Sequence, residues 1–232
     1  MKLNIKRLLI IIVIAVTSNY GQQLHKNKYG LYVVNNIKHY NNLVAKDSSN
    51  ELVNLQKVIP DIKLDIRYAT KNNFLGEQIY KSAFAFLRLP AALSLKKVQK
   101  ELKKLGLGIK VFDAYRPYSA TVKFYNTVKD TVYVASARTG SRHNRGCAID
   151  LTLIYLKTGK ALDMPTGFDS FSEKAHSDYL NLPANEIKNR DLLIGVMAKH
   201  GFNNYSGEWW HYDFKNWEKF DLMDISFEQL NK

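Results

Sequence analysis

A single cysteine, Cys147, stands among 232 residues. No disulfide can form within the chain, so its stability has to come from packing. Long apolar runs are missing too. The longest, residues 8–16, is nine residues, against the roughly 20 a bilayer-spanning helix needs, and an integral membrane protein is not expected. No internal repeat and no low-complexity linker interrupts the chain, which argues against a solenoid or a string of modules. Acidic residues are scarce, 21 against 34 lysines and arginines, for a formal charge of +13. That excess would suit a nucleic-acid binder, but the lysines are spread through amphipathic segments. Across residues 95–105, Leu95, Val98, Leu102 and Leu105 form one apolar stripe, and the lysines between them read as a solvated face. No nucleic-acid partner is expected, although the charge would allow a modest attraction to anionic cell-wall polymers.

Three cations, Lys2, Lys6 and Arg7, precede the short apolar run, and small or polar residues follow it through Gly21. This is the layout of a cleavable secretory signal over residues 1–21, and no cysteine follows to carry a lipid. The expected product is exported, periplasmic or secreted, without a stable membrane anchor, and with a formal charge of +10. Residues 22–50, rich in Asn, Lys and Tyr, read as a polar extension before one domain over residues 51–232. Patterning predicts strands at 63–68, 107–113, 147–155 and 209–214. It also predicts helices at 90–105, 119–129 and 186–200, the first and last ended by Gly106 and Gly201. Strands and helices do not alternate strictly. The expected class is therefore α+β, a single domain with a central, mostly antiparallel sheet flanked by helices and metal ligands on neighbouring strands.

The chemistry concentrates in two segments. Ser141-Arg142-His143-Asn144-Arg145-Gly146-Cys147-Ala148-Ile149-Asp150 is answered downstream by Gly207-Glu208-Trp209-Trp210-His211. His143, Asp150 and His211 are three nitrogen and oxygen donors of the kind zinc accepts, and a catalytic zinc takes three protein ligands and keeps one position open. The attacking water must still lose a proton and the leaving amine must gain one, and Glu208 fits both duties. In a strand over 147–155, Ile149, Leu151 and Leu153 face a core and Asp150 the opposite side. Glu208 and His211 would point to opposite faces of a regular strand, so the chain has to bend between them, with Gly207 the expected start of the bend. Cys147 reads as a core residue and not as a ligand. Arg116 lies where the strand 107–112 runs out into a proline-containing loop, a common place for functional side chains.

With these residues go Asp65-Ile66-Arg67-Tyr68-Ala69-Thr70, Asn73-Phe74, Asp113-Ala114-Tyr115-Arg116-Pro117, Tyr133-Val134-Ala135, Ala148 to Leu153, Gly167-Phe168-Asp169 and Glu208 to Tyr212. In this order, over residues 57–219, they resemble the zinc-dependent D-alanyl-D-alanine dipeptidases of the VanX type. The His-x₆-Asp and Glu-x-x-His pair alone is shared with D,D-carboxypeptidases, phage endolysins and the Hedgehog domain. The resemblance implies one zinc held by His143, Asp150 and His211, with Glu208 as general base and acid and Arg116 against the oxyanion. It also implies that Ser141 meets the substrate's terminal carboxylate, and that Tyr68 and Asp169 meet its ammonium. The substrate would be a small D,D-dipeptide. Pro165 departs from the family, where glycine is more usual, and bears on the loop that aims Asp169. Two other readings stay open: a carboxypeptidase or endopeptidase acting on peptidoglycan stems, and a metal-stabilised binding domain without turnover. The presence of Glu208 and Arg116 argues against the latter.

Overall fold

The computed structural model describes residues 25–131 and 134–231. The signal-like segment 1–21 lies outside the described residues, as does Tyr133. In chain order the elements are β1 (Val33–Val34), α1 (Ile37–Lys46), β2 (Leu52–Asn54), α2 (Leu55–Val58), β3 (Lys63–Leu64), β4 (Phe86–Arg88), α3 (Leu89–Lys103), β5 (Leu107–Asp113), α4 (Tyr118–Val128), β6 (Ala148–Tyr155), α5 (Ala184–Lys199), β7 (Phe202–Tyr205), β8 (Glu208–Phe214), β9 (Leu222–Met223) and α6 (Phe227–Leu230). A five-stranded sheet runs in the order β3-β5-β6-β8-β7. Only the β3–β5 pairing is parallel, and the other three are antiparallel. The α+β class and the mostly antiparallel sheet agree with the sequence reading. No helix among the described residues is long and apolar enough to cross a membrane.

Local chemistry explains the boundaries. Pro90 sits in the first turn of α3, where its missing N–H has no helical partner to lose. Beyond the helix Gly106 takes φ +73°, a conformation open to glycine at little cost. Leu95, Val98 and Leu102 are buried as the stripe predicts, but Leu105 lies past the helix end and is 57% exposed. Helices α3 and α5 pack on each other and against the sheet. Strand β6 is buried at every position from Ala148 to Ile154, so both of its faces are covered. Ile149, Leu151 and Leu153 pack in the core, and the pleat turns Asp150 to the other face.

Two segments depart from the sequence reading. The strand expected over 63–68 stops at Leu64, and Arg67–Ala69 forms a 3₁₀ turn, so Tyr68 projects from a turn. The segment read as a polar extension contributes β1, which pairs in parallel with β9, and α1. The Tyr40 hydroxyl, buried on α1, accepts a hydrogen bond from the Leu52 N–H. Single tyrosines and valines among asparagines and lysines gave this packing no periodic signal.

Candidate active site

The three expected ligands converge. Asp150 and His211 are directly opposed on β6 and β8, and His143 arrives on a 3₁₀ turn, His143–Arg145, ended by Gly146 at φ +68°. His143 Nε2 lies 3.2 Å from His211 Nδ1 and 3.4 Å from Asp150 Oδ2, and His211 Nδ1 lies 3.0 Å from Asp150 Oδ1. All three residues are buried, and they are the metal-capable group found among the described residues. A tetrahedral metal with bonds of about 2.0–2.1 Å separates its donor atoms by about 3.3 Å, so the triangle matches one face of such a shell.

The opposite ring nitrogens are occupied. His143 Nδ1 lies 2.7 Å from the Ala114 carbonyl, an arrangement in which it donates and leaves Nε2 free. His211 Nε2 lies 2.9 Å from Asp213 Oδ1, which turns Nδ1 toward His143 and Asp150. Burial pushes the His211 pKa down, but its hydrogen bonds to Asp150 and Asp213 together with their charges outweigh that and hold it up at about 10. Asp213 was not singled out in the sequence. Its place two residues after His211 on one strand face was the available signal.

Glu208 and His211 do reach the same site through the expected irregularity between them, but it follows Glu208 and does not begin at Gly207. Gly207 belongs to the turn between β7 and β8. The register then runs from Tyr205 opposite Glu208 directly to Asn204 opposite Tyr212, so residues 209–211 bulge out of the β7 pairing. Asn204 Nδ2 bridges the bulge, donating to the carbonyls of Glu208 (2.9 Å) and His211 (3.0 Å). Glu208 Oε2 comes to 3.8 Å from His211 Nδ1. Burial raises the Glu208 pKa, with the charge of His211 opposing and that of Asp150 adding. Of the two tryptophans in the bulge, Trp209 donates from Nε1 to Thr166 Oγ1 and Trp210 lines the cleft.

Arg116 is buried beside the three donors. Its Nε and Nη2 donate to Asp113 Oδ2 at 3.0 and 2.9 Å, and Nη2 lies 4.0 Å from Asp150 Oδ2. Its guanidinium lies over the rings of Tyr68 and Phe124. A second irregularity, between Val111 and Asp113 on β5, brings Asp113 opposite Asp150, and the Tyr80 hydroxyl donates to Asp113 at 3.0 Å. Asp113, three residues before Arg116 in the motif quoted above, holds the guanidinium in place, a role the motif alone does not disclose.

In the same cleft the Tyr68 hydroxyl is 3.1 Å from both oxygens of Asp169. Asp169 takes φ +61°, the left-handed region aspartate tolerates better than most residues. Burial pushes its carboxyl well above the usual range. Ser141, half-buried, receives the Asn144 N–H on Oγ at 3.4 Å and also lines the cleft. Cys147 is buried behind the ligands, its thiol pushed up to about 12 by burial, and it takes no part in the metal group. The loop carrying His143 is held from outside by Arg88, whose N–H donates to the Gly146 carbonyl and whose Nε donates to that of Arg145. The cleft encloses about 820 Å³ and is lined by Tyr68, Arg116, Asp150, Asp169, Glu208 and His211 among others.

A family model described as D-ala-D-ala dipeptidase matches residues 48–223. A D-alanyl-D-alanine dipeptidase of Escherichia coli is 35% identical over 77% of this chain and 92% of its own length. Proteins of the same description from Enterococcus faecalis and Enterococcus faecium are 30% and 33% identical, over 70% and 68% of this chain and 91% and 88% of theirs.

Proposed function

The chain belongs to the D-ala-D-ala dipeptidase family of peptidases, and from that premise we propose that it hydrolyses free D-Ala-D-Ala with one zinc held by His143, Asp150 and His211. The observation that carries this reading is the triangle of donor atoms at 3.0–3.4 Å with Glu208 and Arg116 beside it. When bound, zinc supplies Lewis acidity, polarising the scissile carbonyl and lowering the pKa of water. Glu208, half-buried and 3.8 Å from a ligand nitrogen, accepts the proton of the attacking water and returns it to the leaving amine. Arg116, locked by Asp113, faces the oxygen that gains charge as the carbonyl becomes tetrahedral. Asp169 and Tyr68 receive the free ammonium of the first residue. The start of the chain supports export by a cleavable signal, which would place the enzyme outside the cytoplasm and its substrate among the products of peptidoglycan metabolism.

One observation favours the second reading, a D,D-carboxypeptidase or endopeptidase on stem peptides. Pockets that enclose drug-sized ligands run from about 300 to 1,000 Å³, so 820 Å³ exceeds what two alanines fill. N-acetylation of the substrate separates the two. If Asp169 pairs with the ammonium, acetylation leaves a half-buried carboxylate unpaired, which costs roughly 10²-fold or more in kcat/KM. Purified zinc-loaded protein should cleave D-Ala-D-Ala efficiently and N-acetyl-D-Ala-D-Ala or a pentapeptide stem poorly. Comparable kcat/KM on free and acetylated dipeptides would promote the stem-peptide reading.

A further inference from the structure

A dipeptide zwitterion brings three charges or developing charges to this cleft, and the residues above answer two of them. On the proposed reading Asp169 takes the ammonium, Arg116 the oxyanion and Ser141 the terminal carboxylate, and the hydroxyl of Ser141 carries no charge. A carboxylate held in a partly desolvated cleft without a counter-charge binds poorly. Three arginines line the cleft. Arg116 is committed to Asp113. Arg145 donates from Nη1 to the Phe220 carbonyl. Arg142, which follows Ser141 directly, is different. Its side chain is 43% exposed, its Nε lies 3.4 Å from Asp213 Oδ2, and its guanidinium sits 4.9 Å from the centre of the Trp217 ring. Its Nη atoms make no hydrogen bond among the described residues.

We propose that Arg142 is a specificity-determining residue that takes the terminal carboxylate of the substrate on its free Nη fork. Asp213 and Trp217 hold the rest of the guanidinium, which limits the rotamer freedom that a long side chain loses on binding. Asp213 touches both Arg142 and His211 Nε2, so the fork stands one carboxylate away from a metal ligand. Arg142 also lines the same cleft as His143, Asp150, Glu208 and His211, and it directly follows Ser141, where the family resemblance puts that carboxylate. A planar fork also matches the two oxygens of a carboxylate better than it would a terminal amide.

The inference rests on the dipeptidase reading, and one experiment keeps the two apart. Zinc-loaded wild type, Arg142→Gln and Arg142→Lys are assayed on D-Ala-D-Ala, with the C-terminal amide D-Ala-D-Ala-NH₂ measured as a competitive inhibitor so that the result does not depend on its turnover. Zinc content is measured in each protein. The expected result is a KM for D-Ala-D-Ala raised roughly tenfold or more in Arg142→Gln with kcat little changed, a Ki for the amide changed less than about threefold, and partial recovery in Arg142→Lys. An unchanged preference for the free acid over the amide in Arg142→Gln would overturn the proposal. So would loss of zinc from that variant, which would assign Arg142 to the support of Asp213 and His211. A zinc-loaded wild type that does not cleave D-Ala-D-Ala would instead remove the functional reading on which the proposal stands.

Discussion

In the proposed mechanism Glu208 and Arg116 act from beside the metal, and neither is one of the three donors. Glu208→Gln should therefore retain the metal and lose roughly 10²–10⁴-fold in kcat, the usual contribution of a positioned acid–base group. Elemental analysis together with turnover checks this, and a fully metallated variant keeping a tenth of normal kcat would take Glu208 out of the mechanism. Arg116→Ala should lower kcat more than it alters KM, because an oxyanion partner binds the transition state better than the substrate. His211 makes a separate prediction. In the metal-free protein its pKa is held up at about 10, so at neutral pH the ring carries a proton that the metal must displace. Zinc binding at pH 7 should release about one proton and tighten as pH rises toward 10. Calorimetry in buffers of different ionisation enthalpy measures this, and a binding heat independent of buffer would contradict it. The same shift stabilises the metal-free fold. A histidine whose pKa is raised contributes its full stabilisation below about pH 6.5, the unfolded value, and loses it as pH climbs through 10.

Two irregularities in otherwise regular strands build the site. The bulge over residues 209–211 lets Glu208 and His211 face one point, and the irregularity between Val111 and Asp113 brings Asp113 and, through it, Arg116 to the same side. The first depends on Asn204, whose amide occupies two carbonyls that the β7 pairing leaves free. Asn204→Ala should cost about 1–3 kcal/mol in stability, the usual range for stranded buried acceptors, and should lower kcat by displacing Glu208. Asn204→Asp offers no donor, so it should not restore kcat. Denaturation midpoints and turnover measured side by side test this, and a stable variant with normal kcat would show that the bulge holds without its bridge.

Across the whole molecule, the family match begins at residue 48, yet the fold begins earlier. Strand β1 covers β9, and Tyr40 on α1 satisfies a buried N–H at the start of β2. Strands β1 and β9 thereby close on the loop that carries His143, because β9 lies against that loop. A chain begun at residue 48 should melt at least about 4 °C lower than one begun at residue 22, given roughly 2–4 °C per kcal/mol for a domain of this size. A scanning calorimeter decides it. Equal melting temperatures would return residues 22–47 to the status of an extension.

Much of this molecule was legible in one dimension. The helices of α3, α4 and α5, the strands β5, β6 and β8, and the metal donors His143, Asp150 and His211 follow from local causes. Apolar residues recur at the helical or strand period, a glycine or proline ends or begins an element, and donor types that zinc accepts stand in two motifs that resemble those of a known family. What only the tertiary structure decided is how those residues meet. The bulge that turns Glu208 toward His211, the Asp213 and Ala114 acceptors that set the two imidazoles, the Asp113 lock on Arg116 and the turn that carries Tyr68 to Asp169 each join residues through a register shift or a contact distant in sequence. A pairing register is set by the competing burial of whole strands, so no window of neighbouring residues contains the information. Hydrogen bonds to a ring nitrogen or a guanidinium depend on what the fold brings within about 3 Å, and composition is silent on that.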